Sequence, residues 1–377
     1  MREKDFRIRI FQPIVPEYRV PLFEELAGRY GDRIEVWASP KQGSDASCPM
    51  KGVRYDYAHP MRRLGPLVWQ SGFSLRWLQR GDVAVVCGDV HQLSSLYVAL
   101  AAKCKGIKVV WWGHHKSASS RRLGVVIRLM IARCLSDAFL CYTDEGVRYL
   151  RQHGFVNMPV VATGNTIDLR TISVARKKWS NEALFEFENR NGLRNQNLIL
   201  VCGVLRQKMK LELLMEAFAS SKFLRKSVIV VVIGDGPEKE QYIQSAKRLG
   251  VFDKFVWVEG SRDQNKLAPW FLSAKMFVYP GAIGLAIMHA FAYGLPVVTH
   301  GNASHQMPEF EAMESGETGL TYAENDAVDL ATKIEMLLND ENKRRAMCDK
   351  VRKVVESKYP MDAMVENFCA VIDAVRA

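Results

Sequence analysis

Val278-Tyr279-Pro280-Gly281-Ala282-Ile283-Gly284-Leu285 runs from an apolar strand into a glycine-rich bend. Leu285 to Tyr293 then carries helical spacing, Gly294 is placed to end that helix, and Pro296-Val297-Val298-Thr299 reads as the next strand. Strand, short helix and strand in this order make a crossover unit whose two strands run parallel. The bend, Gly281 to Leu285, sets backbone N–H groups at a helix N-terminus, where an anion can bind. The Gly-Lys-Ser/Thr element of a P-loop is missing, and Gly281 with Gly284 supply only part of a dinucleotide fingerprint.

The same alternation extends outward from this stretch. Behind it lie apolar runs at Leu198–Cys202, Val228–Ile233, Phe255–Val258 and Met276–Tyr279, with helical spacing at Leu211–Ser220 and from Lys239. Ile233-Gly234-Asp235-Gly236-Pro237 follows one such run, and Gly234 and Gly236 permit either a ligand's close approach or a plain strand-to-helix turn. The first half repeats the pattern, with strands expected at Arg7–Phe11, Ile34–Ala38, Val83–Cys87, Lys108–Trp112, Ala138–Tyr142 and Val160–Ala162. Helical spacing lies between them at Leu22–Tyr30, Leu93–Lys105 and Glu145–His153. A polar interval, Ile167–Asn195, interrupts the series. The pattern predicts an α/β protein with two doubly wound domains, 1–178 and 179–355, leaving a last stretch, 356–377. Binding is expected between the domains, at the carboxyl ends of the strands.

The 377 residues are 48% hydrophobic and 25% charged, an ordinary globular composition. Residues 1–178 hold 28 basic and 15 acidic side chains, a balance of +13, and residues 179–377 hold 24 and 26, a balance of −2. The whole excess of +11 therefore sits in the first half, which points to an anionic partner for that half. Nothing resembles a nucleic-acid-binding module, so no nucleic-acid partner is expected. The eight cysteines form no C-x-x-C pair and read as free thiols in a cytoplasmic setting. No uninterrupted apolar run is long enough for a signal peptide core or a spanning helix.

The order and spacing of the pieces over 198–335 resemble the donor half of GT-B glycosyltransferases, specifically the large retaining family 4 (glycosyl transferases group 1). The residues that carry the resemblance are Gly203 through Ala217-Phe218, Ile233-Gly234-Asp235-Gly236-Pro237, Tyr279-Pro280, Gly284-Leu285, Ala292 through Val298, Pro308-Glu309 and Gly316 through Leu320. The first half resembles the family through Trp112-Gly113-His114-His115 and Gly164-Asn165-Thr166-Ile167-Asp168. The resemblance implies two Rossmann-like domains facing a central cleft, with a C-terminal helix that crosses back onto the first. It implies a nucleotide-sugar donor on the second domain and a glycan or polyprenyl-diphosphate-linked acceptor on the first, with transfer by retention. It also implies no cofactor beyond the co-substrate. The absence of any Asp-x-Asp motif agrees with an expectation of no metal.

Two departures shape the expected site. The family's two glutamates, separated by seven residues, fall here on Gly281 and His289. His289 can still hydrogen-bond a hydroxyl, and Glu309 or Glu311 can take over the ribose. The family's Arg and Lys after the first glycine fall on Val204 and Met209, leaving Arg206, Lys208 and Lys210 nearby to neutralise a diphosphate. The resemblance places a histidine facing the donor sugar at His114, with His115 second. Glu17, Tyr18 and Arg19 replace the family's glycine-rich acceptor loop, and Asp89 with His91 is a further candidate pair.

Met61–Arg80 and Ser117–Leu135 mix arginine with tryptophan or aliphatic residues, which suits an anionic inner-membrane surface; a core-facing helix with a solvated basic side is the competing reading of the second. Assembly of a bacterial surface polysaccharide or lipopolysaccharide, on the cytoplasmic face of the membrane, is the expected setting. The rival functions are a non-hydrolysing nucleotide-sugar epimerase and a non-catalytic sugar-nucleotide-binding protein.

Overall fold

A computed structural model describes residues 6–40, 49–113 and 122–377. The chain divides into two units, Met1–Asn165 with Met361–Ala377, and Thr166–Pro360.

The first unit is a seven-stranded, all-parallel sheet. Its strands are β1 (Ile8–Phe11), β2 (Ile34–Trp37), β3 (Arg54–Asp56), β6 (Val83–Cys87), β7 (Lys108–Gly113), β8 (Ala138–Cys141) and β9 (Val160–Ala162), in the order β3-β2-β1-β6-β7-β8-β9. β4 (Met61–Leu64) and β5 (Leu67–Gln70) form a separate antiparallel hairpin. Successive strand residues enter opposite cores: Ile8, Ile10, Val83 and Val85 on one face, Phe11, Ala84 and Val86 on the other. Both faces are covered, which is why these strands read as nearly continuous apolar runs. The helix Met361–Arg376 joins the first of these cores through Met364, Phe368 and Ile372, with Phe368 edge-on to Trp112 at 5.3 Å.

The second unit has six parallel strands, β10 (Asn197–Cys202), β11 (Val228–Ile233), β12 (Phe255–Val258), β13 (Met276–Val278), β14 (Val297–His300) and β15 (Gly319–Tyr322), in the order β12-β11-β10-β13-β14-β15. The helix Ala286–Ala292 connects β13 to β14, and Gly294, at φ +80°, lies just past its end. The polar interval of the sequence is two helices, Leu169–Lys177 and Asn181–Arg190. Ile172 and Ala175 of the first belong to the core of the second unit, so that unit begins at Thr166 rather than at 179.

This division redistributes the charge. The first unit holds 25 basic and 17 acidic residues, +8, and the second 27 and 24, +3. Arg170, Arg176, Lys177 and Lys178 fall in the second unit, and the returning helix brings Asp362, Glu366 and Asp373 to the first. The asymmetry is thus weaker in the folded units than along the chain.

Candidate functional site

In the second unit the strand order reverses between β10 and β13, and the loops that leave their carboxyl ends diverge there. Those loops are Gly203–Lys210 and Tyr279–Leu285, the segments that carry most of the expected donor residues. They are stacked backbone on backbone. A Cβ added to Gly281 would lie 1.9 Å from the Lys208 carbonyl oxygen, one on Gly234 2.0 Å from that of Gly203, and one on Gly236 2.2 Å from that of Leu205. Leu205 N–H donates to the Asp235 carbonyl at 3.0 Å, and Glu238 N–H to that of Leu205 at 3.2 Å. The close approach these glycines permit is that of one loop to the next.

The bend is held from outside by side chains of the neighbouring strand ends. Ile283 N–H donates to Gln306 Oε1 at 2.7 Å, and Gln306 Nε2 donates to Thr299 Oγ1 at 3.1 Å and the His300 carbonyl at 2.8 Å. Thr299 Oγ1 donates to the Gly281 carbonyl at 3.3 Å, and the Tyr322 hydroxyl to that of Pro280 at 2.5 Å. The Ile283 amide is therefore engaged within the chain. Ala282, Gly284 and Leu285 are partly exposed along the bend.

The three basic side chains separate into two kinds. Arg206 and Lys208 are exposed, and their charged groups have no hydrogen-bond or ion-pair partner among the described residues. The Arg206 carbonyl accepts the Tyr242 hydroxyl at 2.7 Å, which fixes the loop while leaving the guanidinium at the surface. Lys210, in the left-handed region at φ +52°, instead donates to Glu324 Oε1 at 2.9 Å and Asn325 Oδ1 at 2.8 Å. Glu324 Oε2 also meets Asn302 Nδ2 and His305 Nδ1, each at 2.7 Å. Burial works to raise the Glu324 carboxyl, but hydrogen bonds from Lys210, His305 and Asn302, with the Lys210 charge, hold it down at about 2. Met209, where the resemblance places a lysine, is fully buried in the core.

His289 lies on the helix Ala286–Ala292, with Nε2 2.9 Å from Gln264 Oε1 and its ring 4.5 Å from that of Phe271. Burial lowers its pKa to about 4 from 6.5, so the imidazole is neutral at pH 7. The unfolded chain takes up this proton near 6.5 and the folded chain only near 4, so stability falls as pH drops across that window. We expect His289→Gln to flatten the decline of Tm between pH 6.5 and 4; an unaltered profile contradicts the neutral, buried imidazole. Glu309 is 6% exposed and borders Gly284, whose added Cβ would lie 3.6 Å from its Oε2. Glu311 is half-buried on the same short helix, Pro308–Ala312.

In the first unit the order reverses between β1 and β6. Glu17, Tyr18 and Arg19 form a single 3-10 turn after β1, and Arg19 opens the helix Val20–Tyr30. Tyr18 is 37% exposed, Glu17 half-buried and Arg19 only 5% exposed. The Arg19 guanidinium lies 4.2 Å from the Trp112 ring centroid and 5.2 Å from that of Tyr142, and Nη2 donates to the Tyr142 hydroxyl at 2.8 Å. Asp89 and His91 pair with each other at the surface, 2.9 Å apart. His114 and His115, the expected sugar-facing histidines, lie outside the described residues.

Sequence reasoning missed Asn302, His305, Gln306 and Glu324. All four follow β14 or β15, at the same sheet edge as the glycine loops. The signal was available for the first three, which come just after a recognisable strand. Gly319–Tyr322 has no β-branched run to mark it, so Glu324 does not read as a strand-end residue.

Among known proteins, residues 185–354 match the family described as glycosyl transferases group 1. The sulfoquinovosyl transferase SQD2 of Arabidopsis thaliana is 29% identical over 174 residues, 45% of this chain and 32% of that protein. The chain thus spans about a third of the length of this curated relative. HepE of Anabaena, solved in complex with UDP, superposes with a TM-score of 0.72 at 15% identity, covering 98% of this chain and 100% of that one. The lipopolysaccharide outer core galactosyltransferase WaaB, solved in its apo form, superposes with a TM-score of 0.69 at 14% identity, covering 98% and 99%. These likenesses show the GT-B fold, two Rossmann-like units with parallel sheets.

Proposed function

From a GT-B chain whose residues 185–354 match glycosyl transferases group 1, we propose a glycosyltransferase that moves a sugar from a nucleotide-sugar donor, with retention, to a glycan or polyprenyl-diphosphate-linked acceptor. The observation that carries the proposal is the strand-end loop of the second unit. Its two solvent-facing cations, Arg206 and Lys208, have no partner among the described residues and stand beside a glycine bend at the point where the strand order reverses. A departing nucleoside diphosphate gains negative charge as its bond to the sugar breaks, and such cations stabilise that charge. HepE, of similar fold, was solved with UDP, which favours a nucleoside diphosphate as the bound group.

In this account Arg206 and Lys208 hold the diphosphate, and Lys210 holds Glu324 in place beside them. Gly203, Gly234, Gly236 and Gly281 set the spacing of the loops, while Gly284 and Leu285 border the donor. The buried Glu309, with Glu311, is assigned to the ribose, and His289 acts as a neutral hydrogen-bonding group on the sugar side. His114, then His115, is assigned to the reacting sugar, and Glu17, Tyr18 and Arg19 to the acceptor. Nucleotide release from a panel of nucleotide sugars tests the reading. Release that requires an acceptor is expected. Interconversion of the sugar without an acceptor points to the epimerase, and binding without release to the non-catalytic protein.

The proposed setting is surface-polysaccharide or lipopolysaccharide assembly at an anionic membrane surface. No helix among the described residues is long and apolar enough to cross a membrane. On the helix Arg122–Leu135, Val126, Ile127 and Met130 are 52%, 48% and 62% exposed, alongside the exposed Arg133. Leu64 of the arginine-bearing hairpin is 61% exposed. Exposed apolar residues among arginines support contact with anionic lipid. Co-sedimentation with anionic vesicles, weakened by salt, is expected, and none at low salt contradicts it.

A further inference from the structure

Among the described residues Arg19 is a buried cation without an anion. It is 5% exposed, and its Nη1 is buried with no hydrogen-bond partner among the described residues. Its contacts are aromatic: the rings of Trp112, Tyr142 and Tyr18, with centroids at 4.2, 5.2 and 5.7 Å, and the Tyr142 hydroxyl. No carboxylate of a described residue pairs with it. The segment 114–121, which follows β7 and its Trp112, contains two histidines, a lysine and an arginine but no acid. An arginine cannot shed its proton to escape burial: burial works to lower its pKa, but the neighbouring Tyr142 and Tyr18 outweigh it and hold the pKa above the ordinary value. Ring faces compensate such a charge in part, and a buried N–H without an acceptor remains costly.

Two further features place this cation at a ligand position. Arg19 stands at the carboxyl end of β1, where the strand order of the first unit reverses. It is also the residue preceding the 11-residue helix Val20–Tyr30, whose N-terminus has no side-chain cap. We propose that Arg19 is the anchor of an oxyanion site in the first unit, and that this site takes a phosphate group of the acceptor. The proposal deepens the acceptor assignment and rests on the transferase reading. A phosphoryl oxygen supplies Nη1 with its missing acceptor and the guanidinium with its missing charge. Tyr18, the most exposed of the flanking rings, is the side chain that swings aside to admit it. The donor's diphosphate has the same chemistry, so the two sources need separate arms in the test.

The test is ligand-induced thermal stabilisation of the full chain. The background is Arg206→Ala with Lys208→Ala, which removes the exposed cations of the loop after β10. Inorganic pyrophosphate is expected to raise Tm in this background, and Arg19→Met is expected to abolish the rise. A rise that survives Arg19→Met, or that is absent once Arg206 and Lys208 are removed, overturns the site. Arg19→Lys keeps a charge without the planar fork and guards against misfolding of the methionine variant. It is expected to weaken pyrophosphate about tenfold or more, the loss of one charged hydrogen bond, and unchanged affinity overturns the proposal. In the otherwise native chain, Arg19→Met is expected to lose binding of farnesyl diphosphate and to keep binding of UDP. Loss of UDP with farnesyl diphosphate retained overturns the acceptor assignment. Because each arm reads binding rather than turnover, a chain that proves not to be a transferase still returns a clear answer on the oxyanion site.

Discussion

Replacing Arg206 and Lys208 together by alanine is expected to lower kcat about 100-fold or more, with a smaller change in the KM for donor. The two cations are exposed on the loop after β10 and have no partner among the described residues, whereas Lys210 is already committed to Glu324. Charge on a leaving diphosphate grows in the transition state, so cations that meet it there contribute more to the rate than to ground-state binding. The loop is held by the Tyr242 hydroxyl on the Arg206 carbonyl, a contact that the side-chain truncation leaves intact. Unchanged steady-state kinetics in the double variant would remove the clamp from the account. Lys210→Ala is a contrasting case. It deprives Glu324 of its main cation, so its effect should extend to stability.

Gly281→Glu, which places a glutamate where the resemblance puts the first of its pair, is expected to destabilise the protein by about 2–4 kcal/mol, a fall in Tm of roughly 4–16 °C, without a gain in activity. The added Cβ would meet the Lys208 carbonyl oxygen at 1.9 Å and the Met209 carbonyl carbon at 2.9 Å. Both are backbone atoms, so no rotamer change relieves the contact. Gly281 and Met209, two of the positions where the resemblance leads one to expect other residues, thus lie against each other. Met209 is buried, its loop lies against the bend, and the bend has no room for a glutamate at Gly281. Gly28→Ala is a suitable control, since a Cβ there meets nothing within 4 Å and glycine is a poor residue inside a helix. A Gly281→Glu protein with native Tm and raised kcat would show that the loops are spaced differently.

Much of the scaffold is legible in the sequence because buried parallel strands leave continuous β-branched runs. Val228–Ile233 and Val83–Cys87 can be read directly, with boundaries that the structure repeats. Elements that rest on few apolar residues escape: Arg54–Asp56 is a short edge strand, and Gly319–Tyr322 begins at a glycine. The site is legible only in part. Glycine loops and basic residues can be placed by their spacing, but which cation is free and which is spent depends on contacts across more than a hundred residues, as Lys210 with Glu324 shows. Arg19 illustrates the same limit. The sequence offers it as one of three polar residues in a turn, and only the fold shows it enclosed by Trp112 and Tyr142 with no acid among the described residues paired to it.

The central claim, that the second unit binds a nucleotide sugar through its strand-end loops, is tested most directly by thermal stabilisation of the native chain and the Arg206→Ala, Lys208→Ala variant across a panel of nucleotide sugars. At a ligand concentration 100 times Kd, binding contributes about 2.7 kcal/mol. That corresponds to roughly 5–10 °C for a unit of this size. At least one nucleotide sugar is predicted to give such a shift in the native chain and a much smaller one in the variant. No shift with any of them, or equal shifts in both proteins, would contradict the account.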